Sequence, residues 1–269
     1  MFSLVAVSAE LAEQLVAVET GGQDAVHQAR TRVRRLRSVL SVYRRAFDRD
    51  ETDRLRRRLK TLGSLLGEVR DLEVRATAIE DTLAADTEPS VIEAVTVMAE
   101  EARAEHERAL ARLLTTLRGR STRRLLADLL VFAAEPPLRK QGRAHPRKVA
   151  RTGLRKAARR VRPTGESLPE RHELRKDARR LRYAADAVAD LFGRDAVRLA
   201  TSAEAVQDAL GDHRDLVLLA AHLRDRSTSM RLKASTAAAV ERLAADCERR
   251  AAERLEGLDE HLEAIRHAG

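Results

Sequence analysis

His27-Gln28-Ala29-Arg30-Thr31-Arg32-Val33-Arg34-Arg35-Leu36-Arg37 and His172-Glu173-Leu174-Arg175-Lys176-Asp177-Ala178-Arg179-Arg180-Leu181-Arg182 share the frame H-x-x-R-x-x-x-R-R-L-R, 145 residues apart. On a wheel of about 100° per residue with His27 at zero, Arg30, Arg34, Arg37 and Arg45 fall between about −80° and 0°. Thr31, Ser38 and Ser41 share that face, while Val33, Leu36, Val39, Leu40, Tyr43 and Phe47 take the opposite one. The second stretch repeats the plan, with His172, Arg175, Lys176, Arg179, Arg182 and Tyr183 against Ala178, Leu181, Val188 and Phe192. Each stretch predicts an amphipathic helix that buries one side and offers a cationic stripe on the other.

The similarity continues beyond these helices. Leu66-Gly67-Glu68-Val69-Arg70-Asp71-Leu72 corresponds to Leu210-Gly211-Asp212-His213-Arg214-Asp215-Leu216 at a spacing of 144. Two shared segments in the same order imply an internal duplication. Asp71 and Asp215 are candidates to hold arginines of the His helices in place, Arg35 and Arg180 among them. A plain surface or capping pair is the competing reading.

Breakers mark out further helices. Gly21-Gly22 precedes the first His helix, which is expected to reach about Phe47. Helices are predicted from about Glu51 to Ala84, from Pro89 to about Leu117 and from Thr122 to Ala133, the last closed by Pro136-Pro137. The second His helix is expected from Pro169 to Phe192, followed by helices at about 195–226 and 232–267. No segment alternates like a strand. The expected fold class is all-α, with two antiparallel helical bundles over residues 1–134 and 138–269.

Composition narrows the class. The 269 residues are 43% hydrophobic but lack Trp, so the core must be built from Leu, Ala and Val. One cysteine, Cys247, excludes a disulfide framework and a Cys-based zinc site, and a reducing cytoplasm is the expected setting. No apolar run approaches the roughly 20 residues of a membrane span, and residues 1–18 lack the basic start of a signal peptide. The net charge of +9 suggests a polyanionic partner.

The basic stripe is the feature that carries chemistry. Solvated helix faces ordinarily mix signs, because opposite charges at i,i+4 stabilise by about 0.2–0.5 kcal/mol and like charges cost as much. Between His27 and Arg45 there is no carboxylate at all. Residues 138–162 add eleven Arg or Lys and no acid. Lys148, Arg151, Arg155, Arg159 and Arg162 share one helical face there, with Val149, Leu154, Ala158 and Val161 available for docking. A flexible basic linker is the alternative. Arginine suits phosphate oxygens because its planar fork donates paired, charge-assisted hydrogen bonds. His27 and His172 are candidates to donate to phosphate or to act as core hydrogen-bonding partners. No ligand-spaced partner accompanies His27, and H-E-x-x-H is absent, so neither a metal nor a cofactor is expected. A G-x-x-x-x-G-K-[ST] loop is absent as well.

These motifs resemble the CHAD family, the conserved-histidine α-helical domain, and the resemblance covers essentially the whole chain, 1–269. It rests on the two His-helix frames, the second continuing to Tyr183, and on the two L-G-x-x-R-D-L segments. The resemblance implies two four-helix bundles related by a pseudo-twofold axis, with a basic surface that binds inorganic polyphosphate. It makes His27, Arg30, Arg34, Arg37, His172, Arg175, Arg179 and Arg182 binding candidates, to which the charge reading adds Arg45, Lys148, Arg151, Arg155, Arg159 and Lys176. Arg179 stands where the family's second repeat often has Lys, and His213 stands where relatives often show Asn. The triphosphate-tunnel barrel fused to some members, with its E-x-E-x-K strand, is absent. A non-enzymatic binding module is therefore expected, cytoplasmic and associated with polyphosphate granules, with weak nonspecific nucleic-acid binding and no membrane partner. The competing functions are a nucleic-acid-binding helical protein and a phosphate-processing enzyme with a histidine phosphoacceptor. The scarcity of aromatics counts against single strands.

Overall fold

A computed structural model describes residues 2–84, 87–163 and 165–268. Met1 and Gly269, the outer limits of the two expected halves, lie outside the described residues. The chain runs through α1 (Leu4–Glu19), α2 (Ala25–Val42), α3 (Arg49–Glu80), α4 (Pro89–Leu117), α5 (Arg120–Ala134), α6 (Lys140–Ala144) and α7 (Pro146–Ala158). It continues through α8 (Leu168–Asp186), α9 (Ala189–Phe192), α10 (Arg194–Ser229), α11 (Ala234–Glu253) and α12 (Leu258–Ala268). The fold class is all-α, as the periodicity predicts.

Local chemistry accounts for most of the helix limits. Gly21, at φ 75°, stops α1. Pro146 opens α7, where its missing N–H costs nothing. Ser167 and Glu170 form a reciprocal capping box at the start of α8, with Pro169 in the first turn. Two predicted helices are broken. The second His helix ends at Asp186 rather than Phe192, and α9 follows as a separate turn. The predicted helix 232–267 divides into α11 and α12 at Gly257, whose φ of 76° is left-handed.

Tertiary packing divides the chain differently from the sequence halves. One compact unit comprises Met1–Gly67, Arg112–Gln207 and Gly257–Gly269; the other comprises Glu68–Ala111 and Asp208–Glu256. Each unit draws on both 1–134 and 138–269, so neither half is a compact body by itself.

In the first unit α2 is central, packed against α1, α7 and α8. Ala29, Val33, Leu36, Val39 and Leu40 are buried along its apolar side, as the wheel requires. An aromatic cluster sits at its end, with Phe2 stacked on Tyr43 at 4.4 Å and Phe47 tilted against Phe132 at 5.4 Å. The strap before α6 runs across this turn. Asp48 N–H donates to the Pro137 carbonyl at 2.7 Å, and Arg139 N–H to the Ala46 carbonyl at 2.9 Å. These non-local bonds occupy the backbone around Phe47, which is why α2 stops at Val42 instead of reaching Phe47.

The second unit packs stretches of α3, α4, α10 and α11 around Ile79, Val95, Met98, Ala99, Leu223, Val240, Ala244 and Cys247. Its surface arginines pair with carboxylates, Arg224 with Glu241 and Glu248, and Arg226 with Glu101.

Candidate anion-binding grooves

Charge is segregated between the units. The first carries 38 Lys and Arg against 21 Asp and Glu, a net +17; the second carries 13 against 21, a net −8. The excess that suggests a polyanion therefore belongs to one unit, the one that contains both His helices.

Within it, α2 and α8 pack against each other and bring their stripes together. Arg34 and Arg179 are mostly withdrawn from solvent. Burial pushes the Arg34 guanidinium down to about 9, and Arg30, Arg179 and Arg175 push it the same way while Tyr183 opposes them. Burial likewise takes Arg179 down to about 10, with Arg175, Arg30 and Arg180 adding to it and Tyr183 opposing. Four arginines, two from each helix, thus crowd together, with the buried Tyr183 beside Arg34 and Arg179. Among the described residues no carboxylate lies within ion-pairing distance of Arg34 or Arg179. Arg37 is lowered by burial and by Arg56 and Arg180. Both arginines of the pair stay charged at neutral pH, so the site holds cationic charge that the fold itself does not balance.

Glycines let α3 approach this face closely. A Cβ on Gly63 would stand 3.0 Å from Val33, and one on Gly67 would stand 3.6 Å from Arg30 Nε. Only the Gly63 contact is tighter than ordinary packing; at Gly67, the glycine of the first L-G-x-x-R-D-L segment, a Cβ would sit at ordinary contact distance from the Arg30 guanidinium.

Two grooves open on the first unit. The inner one, about 260 Å³, lies between α2, α3 and α8 and is lined by Arg34, Arg37, Ser38, Ser41, Asp53, Arg56, Arg57, Lys60, Lys176, Arg179 and Arg180. The outer one, about 690 Å³, lies between the end of α2, the start of α3 and α7. Arg44, Arg45, Arg49, Arg56, Arg139, His145, Lys148, Lys156 and Arg160 line it, over a floor that includes Val42, Val149 and Ala157. Among the described residues each groove has a single carboxylate in its wall, and both are engaged. Asp53 accepts from Arg56 at 3.0 Å and lies 3.7 Å from Arg44 and 3.8 Å from Arg49; Asp177 accepts from Arg180 at 2.5 Å.

Residues 138–162 are docked rather than a loose linker. Gly142 of α6 lies so close to the Ala46 backbone that a Cβ would collide with its carbonyl oxygen, and Gly153 of α7 leaves room for the Tyr43 ring. α7 and its two ends meet the groove through His145 before the helix, Lys148 and Lys156 on it and Arg160 just after it. Of the predicted stripe on this segment, Lys148 alone lines it. Arg151 lies over the Phe192 ring at 5.5 Å, and Arg155 and Arg159 point to solvent outside both grooves.

The other predicted residues divide similarly. Arg34, Arg37, Lys176 and Arg179 line the inner groove and Arg45 the outer one, with Lys176 also bonded to Glu173. Arg30 and Arg175 are not among the groove-lining residues but lie close enough to Arg34 and Arg179 to disfavour their charge. Arg182 pairs with Glu204 at 2.5 Å and lies over the Tyr183 ring. His27 is half-buried in the first turn of α2 and His172 exposed at the start of the second turn of α8, and neither is among the groove-lining residues. Arg180 takes Asp177 of its own helix as partner, while Arg35 lies close enough to Asp186 to oppose the upward push of burial on that carboxyl. Asp71 and Asp215 are exposed residues of the second unit, and Asp215 lies 3.3 Å from Arg214. The sequence reading missed Arg56, Arg57 and Lys60 of α3, although the basic run Arg54 to Lys60 was there to be seen. It also missed Asp53, the carboxylate that holds three of the groove arginines.

The paired His helices and the two grooves lined mainly by arginine and lysine belong to an all-α domain. The CHAD domain profile matches residues 6–224, and the chain belongs to that family. The Mycobacterium tuberculosis proteins MT2285 and Rv2226, from two strains, are each 32% identical over 228 residues, 80% of this chain and 43% of their own length. The chain therefore spans less than half of these relatives. PptA from Streptomyces chartreusis shares the fold with a TM-score of 0.73 at 20% identity, covering 98% of this chain and 95% of that one. The CHAD domain from the plant Ricinus communis superposes with a TM-score of 0.70 at 22% identity, covering 98% and 89%.

Proposed function

We propose that this protein is a non-catalytic module that binds inorganic polyphosphate along the grooves of its basic unit. The observation that carries the reading is the juxtaposition of Arg34 and Arg179, each mostly withdrawn from solvent and without a carboxylate partner among the described residues. Burying a charge is costly unless something balances it. A flexible, linear anion with charge on every unit can reach into the narrow inner groove and satisfy several guanidinium forks together. CHAD family membership points the same way.

Nucleic acid is the weaker partner because the bases would find nothing to stack on. Phe2, Tyr43, Phe47, Phe132 and Tyr183 are buried, and Phe192 lies beneath Arg147 and Arg151. Phosphate-processing chemistry is disfavoured because the two groove carboxylates, Asp53 and Asp177, are already engaged by arginines. Among the described residues no helix is long and apolar enough to cross a membrane. A cytoplasmic location at polyphosphate granules fits these features.

A competition titration tests the reading. Long-chain polyphosphate is bound first and then challenged with duplex DNA, single-stranded RNA, ATP and orthophosphate at one salt concentration. Displacement by DNA at equal phosphate concentration would sink the specificity for polyphosphate. Progressive shortening of the bound chain would show an enzyme instead.

A further inference from the structure

The two grooves share three residues, Ser41, Arg56 and Arg180. Arg56 Nη2 donates to Ser41 Oγ at 3.4 Å, and Asp53 and Asp177 hold Arg56 and Arg180 from either side of this neck. Arg37 stands close enough to both guanidiniums for each to disfavour its charge. The neck is thus lined by arginines common to both grooves, two of them held in place by carboxylates, and the shared residues make the grooves successive stretches of one track.

The stretches differ in character. The inner groove is small, and cations and hydroxyls line it almost throughout. The outer one is more than twice as large, and its cations from α7 are exposed on flexible side chains above a partly apolar floor. Desolvated, crowded guanidiniums gain most from a bound phosphate, whereas exposed Lys148, Lys156 and Arg160 each contribute little singly and add up only when one ligand touches them together. A short phosphate chain therefore fills the inner groove without reaching α7. A longer one passes the neck and gathers the outer contacts as an intramolecular addition.

Resting on the polyphosphate reading above, we propose that the outer groove makes the protein a reader of polyphosphate length, with short chains held by α2, α3 and α8 and long chains held additionally by α7 and the turn that follows it. The test is a pair of titrations, with tripolyphosphate and with long-chain polyphosphate, on wild type and on the triple variant Lys148→Ala, Lys156→Ala, Arg160→Ala. These three side chains are exposed, so the helices are expected to form as before, which circular dichroism checks. Long-chain affinity should fall about tenfold while tripolyphosphate affinity stays within about twofold. The salt slope for the long chain should flatten and that for tripolyphosphate should not. Equal losses for the two ligands, or none for either, would overturn length reading while leaving polyphosphate binding in place. Failure of wild type to bind either ligand would overturn the polyphosphate reading itself, and length reading with it.

Discussion

The Tyr43 hydroxyl donates a 2.6 Å hydrogen bond to the Ala184 carbonyl, joining the ends of α2 and α8 across 141 positions of sequence. The acceptor is one that its own helix leaves open, because Val188 N–H turns to the Ala185 carbonyl instead. Burial pushes the Tyr43 hydroxyl well above its ordinary range, so it remains a donor at every ordinary pH. Tyr43→Phe leaves a buried carbonyl without its partner, at a cost of about 1–3 kcal/mol. Urea unfolding should show a lower midpoint with an unchanged slope. An unchanged midpoint would mean that this bond contributes nothing to the pairing of the two helices.

Arg34 and Arg179 should oppose stability in the unliganded protein, since each is a desolvated cation with like charges beside it. Arg34→Met keeps much of the volume and removes the charge. The unliganded variant is expected to gain about 1 kcal/mol, which for a chain of this size raises Tm by about 2–4 °C. The added thermal stabilisation that polyphosphate gives wild type should largely disappear. A variant less stable than wild type without ligand would make Arg34 a structural residue.

The same depression sets a pH dependence. Between about 9, where folded Arg34 begins to lose its proton, and its ordinary 12.5, the unfolded chain binds more protons than the folded one. The energetic penalty of holding the charge is therefore full below pH 9 and relieved above it. Polyphosphate needs the charged form, so binding should take up protons in this alkaline range and affinity should fall as pH rises through about 9 to 10. Titrations from pH 7 to 10 check this against Arg34→Met with Arg179→Met, which should lack the step. An identical step in the double variant would assign it to other groups.

How much of this was legible in the sequence depends on how local the causes are. The stripes of α2 and α8 follow from 3.6-residue periodicity, and Arg34, Arg37 and Arg179 could be placed from the wheel alone. The Ser167–Glu170 capping box was equally readable from its spacing and was passed over. The end of α2 was not readable, because a strap some 90 residues away occupies the backbone around Phe47. Periodicity also showed that α7 has a basic side but could not say which edge of it meets the groove, and that edge carries Lys156 and Arg160 instead of Arg155 and Arg159. The division into units escaped for the same reason. Residues 68–111 and 208–256 pack with each other rather than with their sequence neighbours, and no local pattern encodes that choice.

Gly142 tests whether docking of the basic segment matters. A Cβ there would collide with the Ala46 carbonyl oxygen, and backbone atoms cannot swing aside as a side chain would. Gly142→Ala should lift α6 from the α2–α3 turn at about 1–3 kcal/mol. Because α6 leads directly into α7, long-chain polyphosphate affinity should fall with stability, while tripolyphosphate affinity should fall less. Equal affinity for long chains despite lost stability would detach the groove from the strap.

Asp53 poses the sharpest choice between organisation and repulsion. It holds Arg44, Arg49 and Arg56 in place, yet it is a negative charge in the wall of a groove for an anion. Ion pairs with this much solvent exposure are worth about 0–1 kcal/mol, so the ordering it supplies is modest. Its repulsion acts on every phosphate that passes the neck and is least screened at low salt. Asp53→Asn keeps one oxygen to accept from Arg56 and removes the charge. Affinity for polyphosphate should therefore rise about threefold to tenfold at low salt, and log Kd against log salt should steepen because the freed arginines release more counterions. The gain should vanish at high salt. Weaker binding at both salts would show instead that Asp53 serves by positioning the three arginines, with its charge a tolerated cost.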